Sequence, residues 1–144
     1  MNPNFMRSMK IGLTLLAVLL TGFVAITWWA LEAGGVAVIE TLSPDGSPRE
    51  THVWFVEPEG EFWLEAGSPS NPWFLDVQRD PVLKIQTDGR VRRKLARPSD
   101  STVDRDRIRA LLRQKYGFRD RWVGLFVDSS QSVAVRLAPA ARSR

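Results

Sequence analysis

The chain contains no cysteine, so disulfides and thiolate metal sites are excluded. It has a single histidine, His52, which rules out a multi-histidine metal centre. No nucleophile elbow accompanies that histidine, so a Ser-His-Asp set has no support. A paired-carboxylate signature is missing too. Glu32 is the first of the 16 acidic residues; of the 20 basic residues only Arg7 and Lys10 come earlier. The remainder is therefore weakly basic with acids interleaved, and nucleic acid is not an expected partner. No metal ligands or catalytic residues are assigned. If the chain performs chemistry, a cofactor must carry it.

Against these absences stands one long uncharged run. "IGLTLLAVLLTGFVAITWWAL", residues 11–31, would span about 31 Å as a helix, matching the hydrocarbon core of a bilayer. Trp28 and Trp29 close the run, where interfacial aromatics belong. The expected organisation is a short basic segment at 1–10, a transmembrane helix at 11–31, a folded domain at 32–139 and a disordered tail at 140–144. Membrane lipid is then a partner through the helix. The basic residues before the run favour a single-pass topology with the N-terminus inside, leaving the side of the domain open. Two alternatives stand beside this reading: a cleaved signal peptide, for which Ala30, Ala33 and Gly34 are small enough, and a buried helix of a soluble protein.

From Gly35 the pattern changes to short strands. "VAVIETL" (36–42), residues 49–57 and "FWLEA" (62–66) are joined by the turns "SPDGSP" and "PEGE" and predict an antiparallel meander. A short helix, "WFLDVQR", begins beside Pro72 and stops before Pro81. "VLKIQT", Asp88-Gly89 and "RVRRKLAR" read as a hairpin. Ser101 and Asp104 are spaced to open a helix whose apolar stripe includes Ile108, Leu111 and Leu112. The last strand is 132–137. In "YGFRDRW" the aromatics read as packing groups and Arg119–Asp120 as a local ion pair. Mainly β, with two or more helices and about six strands at short intervals, the domain is expected to form a small split β-barrel behind the N-terminal helix.

Two stretches carry a resemblance. "SPDGSPRETHVWFV" resembles the first hairpin of the split-barrel flavin-binding superfamily, whose members include pyridoxamine-phosphate oxidases and deazaflavin-dependent nitroreductase/quinone reductases. "EAGSPSNPWFLDVQRDPVLKIQ" resembles that superfamily's phosphate loop, helix and following strand. The resemblance covers roughly residues 35–139. It implies a cofactor, FMN or coenzyme F-420, and a homodimer. It places Arg49, Thr51 and His52 near the cofactor, lets Gly67, Ser68, Ser70 and Asn71 cradle its phosphate, and packs Trp73 beneath. Backbone amides and hydroxyls at a helix N-terminus suit an anion.

Bottom-up, other readings remain beside these. "GSPSNPW" also serves as a plain connection with Ser70 or Asn71 as the helix cap. Trp73 and Phe74 also suit a core. On a regular strand Arg49 and Thr51 share one face while His52 and Trp54 share the other. Unlike many members of the superfamily, the loop at 67–72 has no basic residue; Arg92, Arg93 or Lys94 of the hairpin are the expected substitutes. The expected function is a membrane-anchored flavin- or deazaflavin-dependent oxidoreductase acting on a quinone- or nitro-like small-molecule acceptor. The alternative is a non-catalytic split-barrel binding module on the membrane surface.

Overall fold

The structure, a computed structural model, describes residues 3–32, 35–126 and 128–140. Of the expected disordered tail, residues 141–144 lie outside the described residues, as do Ala33 and Gly34. The first helix, α1 (Pro3–Glu32), holds an apolar window, Met9–Trp29, long enough to cross a membrane by length and composition, and none of that window is buried inside the protein.

Six strands follow: β1 (Val36–Leu42), β2 (Pro48–Val56), β3 (Phe62–Ala66), β4 (Val82–Thr87), β5 (Arg90–Ser99) and β6 (Val133–Pro139). They close an antiparallel barrel in the order β1-β2-β3-β6-β5-β4. The expected mainly-β barrel of about six strands is the architecture found. The turn between β1 and β2 is set by Asp45, whose carboxylate accepts from the Ser47 amide and hydroxyl at 3.0 and 2.7 Å. Asp88 and Gly89 both take positive φ, 49° and 72°, the conformation a two-residue hairpin needs to match strand twist.

Alternation along the strands builds the interior. Ala37, Ile39 and Thr41 of β1 and Leu83, Ile85 and Thr87 of β4 point inward. Helix α2 (Pro72–Arg79) adds Trp73, Phe74 and Val77 to this cluster. A second cluster lies outside the barrel wall, where α3 (Thr102–Tyr116) sets Ile108, Leu112 and Tyr116 against Val56, Trp63 and Ala134. The i, i+4, i+8 spacing of those three residues is what gives α3 one apolar face. Ser101 caps α3, its Oγ accepting from the Asp104 amide at 3.3 Å.

Among the described residues the domain has three α-helices, within the expected two or more, and one of them falls on a stretch for which the sequence predicts no element. After Gly117, which turns the chain at φ 54°, residues Phe118–Gly124 form a third helix, α4. The predicted Arg119–Asp120 pair is also corrected: Asp120 points inward and pairs with Arg109 instead. Asp120 lies on the face of α4 turned to α3, where the Arg109 guanidinium holds it.

Candidate functional site

The barrel closes, and among the described residues its shortest ladder is the seam between β2 and β3. β2 pairs with β1 along the whole length of β1, from Val36↔Trp54 to Leu42↔Pro48. On its other side, among the described residues, it meets β3 only through Phe55↔Leu64 and Val56↔Trp63. Before Phe55 the two strands diverge, and residues 51–54 keep an edge with no strand beside it. A cleft of about 430 Å³ opens there. Its one side is Thr51, His52, Val53 and Trp54 of β2. Opposite lie Glu65 of β3, Gly67, and the start of α2 at Asn71, Pro72 and Trp73. Arg109 of α3, Asp120, Val123 and Gly124 of α4, and Ser129 complete it.

The edge explains how both faces of β2 reach one space. Val53 and Phe55 pack with the interior cluster, while Trp54 and Val56 pack under α3. Thr51 therefore belongs to the inner face and His52 to the outer one, as strand periodicity predicts. At an unpaired edge the two faces are contiguous, so both residues line the cleft. Trp54 is held flat by Tyr116, ring on ring at 4.5 Å and 13°.

Five of the eight sequence-predicted residues come together in the cleft: Thr51, His52, Gly67, Asn71 and Trp73. Arg49, Ser68 and Ser70 are not among its lining. Arg49 is engaged elsewhere, donating from Nε to Asp76 Oδ2 at 2.8 Å. Asp76 is 2 % exposed and also accepts from Thr41 Oγ1 at 2.9 Å and from Arg79 Nη2 at 3.2 Å. The Ser68 and Ser70 hydroxyls lie 2.8 Å apart and bond each other, and the Ser70 amide donates to Ser68 Oγ at 3.2 Å. Asn71 occupies the N-cap position of α2, but its side chain makes no capping bond; the Asn71 carbonyl instead accepts from the Phe74 and Leu75 amides. Trp73 serves both readings given above, since it is buried in the core and lines the cleft.

The charged part of the wall was not among the sequence candidates. Arg109 donates from Nη1 to Glu65 Oε2 at 2.9 Å, and its Nη2 lies 2.6 Å from Asp120 Oδ1 at an angle outside hydrogen-bonding geometry. Arg113 Nε approaches the other Asp120 oxygen at 3.9 Å. Two carboxylates thus share one buried guanidinium, and Glu65 Oε1 and Arg109 Nε are left without a hydrogen-bond partner. Such groups are costly to bury unmatched. The available signal was Arg109 next to Ile108, at the margin of the apolar stripe of α3.

Close by, Tyr116 and Lys115 tie the start of the barrel to β2. The Tyr116 hydroxyl donates to Gly35 O at 2.7 Å and accepts from the Phe55 amide at 3.2 Å. Burial pushes its pKa above the ordinary value of 10.0. Lys115 Nζ sits 3.4 Å from the centre of the Phe55 ring and donates to Phe55 O at 2.8 Å. Burial pulls its pKa below 10.5. Among the described residues no cluster of His, Asp or Glu suitable for a metal is present.

Comparison with solved structures finds the same fold repeatedly. A conserved hypothetical protein from Mycobacterium tuberculosis is 19% identical, with a TM-score of 0.56 over 83% of this chain and 80% of that one. An F420-H2 dependent reductase is 16% identical, with a TM-score of 0.51 over 72% and 94%. A domain-swapped dimer is 17% identical, with a TM-score of 0.53 over 72% and 80%. At these identities the likeness concerns the fold. No curated protein matches the chain in sequence. The model of one family matches residues 29–128, which include every residue lining the cleft except Ser129. The chain therefore belongs to the F420H(2)-dependent quinone reductase family.

Proposed function

We propose that this protein is a deazaflavin-dependent oxidoreductase that is tethered to a membrane by α1 and reduces a quinone-like acceptor. The observation that carries the reading is that the cleft at the barrel seam falls within the span matched by the family model. The residues present suit coenzyme F420. Trp54 and Trp73 offer flat apolar surface, and the open edge of β2 offers backbone donors and acceptors. Gly67 and Asn71, at the mouth of α2, are placed to meet the phosphate. When bound in reduced form, the cofactor supplies a hydride. The chain's part is to bind, orient and keep water away: Trp73, Val53 and Val123 form apolar walls, and the ion pairs of Arg109 fix the polar end. The domain-swapped relative supports a homodimer as the working assembly.

A second reading, a non-catalytic binding module, is favoured by the engagement of Arg49 with Asp76 and by the lack of a basic residue at 67–72. The two are separated by titrating the full chain, in detergent, with F420 and with FMN while following tryptophan fluorescence. Saturable quenching by F420, together with oxidation of reduced F420 by a short-chain quinone, is the expected result. A folded chain that binds neither leaves the binding module. Light scattering on the same sample reads the assembly.

A further inference from the structure

Helix α4 shows two unlike faces. One lines the cleft with Asp120, Val123 and Gly124. The other is apolar and open: Phe118 is 55% exposed, and just past the helix Leu125 and Phe126 are 72% and 61% exposed. Large apolar groups grouped this way on a small domain mark a contact surface.

The surface is not isolated. It joins α1 at Trp122, whose Nε1 donates to Thr27 Oγ1 at 3.1 Å. The Phe23 ring packs on Trp122 at 5.7 Å and edge-on to Phe126 at 5.5 Å. Arg119 lies over the Trp29 ring at 6.0 Å. All of these α1 residues fall within the last two turns of the apolar window. From Phe23 to Trp29 the helix rises about 9 Å, which is the depth at which interfacial helices sit beneath the headgroups. The charges agree with that placement. Arg119 and Arg121 flank the aromatics, whereas Asp120, the one acid of α4, is 4% exposed and turned to Arg109. An apolar face bordered by cations, with its anion withdrawn, suits the headgroup layer of an anionic bilayer.

We propose that α4 with Leu125 and Phe126 lies in the headgroup layer of the bilayer that α1 crosses, so that one wall of the cleft rests on the membrane surface. This rests on the reading of α1 as a membrane span. An acceptor dissolved in the bilayer then reaches the cleft past Val123 and Gly124 without crossing bulk water.

The lack of native cysteine allows a direct test. Single variants Phe118→Cys, Leu125→Cys, Leu19→Cys and Val103→Cys of the full chain each carry one nitroxide, in vesicles of phosphatidylcholine and phosphatidylglycerol. All four positions are exposed, so folding is spared. Collisions with oxygen, which concentrates in lipid, are compared with those of a water-soluble nickel chelate. The proposal expects oxygen to dominate at positions 19, 118 and 125, and nickel at 103 on α3. Nickel dominance at 118 and 125 with oxygen dominance at 19 would overturn the placement of α4 and leave the anchor standing. Protection from both agents at 118 and 125 would also overturn it, showing protein, such as a second copy, on that face. Nickel dominance at 19 removes the anchor, and the proposal with it.

Discussion

Arg109 and Glu65, on α3 and β3, meet at 2.9 Å in the cleft wall with side chains only 15% and 10% exposed. The same guanidinium reaches Asp120, so one residue joins the barrel to both helices that cover the seam. Arg109→Ala leaves Glu65 buried without a countercharge and Asp120 with only the more distant Arg113. It is expected to cost about 3–5 kcal/mol, read as a lowered urea midpoint. Arg109→Lys is expected to recover only part of this, because an ammonium cannot match two carboxylates as a planar fork does.

Asp76 gathers Thr41, Arg49 and Arg79 around one buried carboxylate. Asp76→Ala is expected to destabilise the chain by about 2 kcal/mol. The figure is held down because Arg49 and Arg79 are 35% and 45% exposed and can turn to water. Urea unfolding of the variant against the parent measures it.

Tyr116 is the only tyrosine, so phenolate absorbance reports it alone. Its pKa is raised in the folded state, so the neutral phenol is favoured there. The associated stability is present in full below 10.0 and is lost as pH rises through the higher folded value. The expected titration midpoint lies above 10.0, falls back to it in denaturant, and is accompanied by loss of stability on the alkaline side. In Tyr116→Phe that part of the alkaline loss disappears, while stability at neutral pH drops by about 1 kcal/mol with the hydrogen bonds.

Val123 lines the cleft without belonging to the buried core. Val123→Trp is expected to fill the space and weaken F420 binding by tenfold or more, about 1.4 kcal/mol. The melting temperature should stay near that of the parent. Fluorescence titration beside a thermal scan distinguishes occlusion from unfolding.

The strands were legible because each is a short β-branched or aromatic run ended by a turn pair with its own chemistry, as at Asp88-Gly89. Thr51, Gly67, Asn71 and Trp73 lie in the two stretches that carry the resemblance, and the fold brings them to one cleft. The electrostatics were not legible. Arg109 finds Glu65 across 44 positions, and Arg49 finds Asp76 across 27, and no local pattern encodes pairings of that range. Helix α4 was missed because "FRDRWVG" is seven residues long, shorter than the window over which a helical period can be read.

The short contact between β2 and β3 has a consequence for solubility. A bare strand edge is a template on which a neighbouring chain can add its own strand, the first step of sheet-to-sheet aggregation. Here residues 48–54 of β2 have no partner on β3, and Pro48, which lacks an amide hydrogen, stands at the start of the strand. A ligand lying along that edge would act as a guard against self-association as well as a reactant, and deprivation of it would be expected to shorten the lifetime of the protein in concentrated solution.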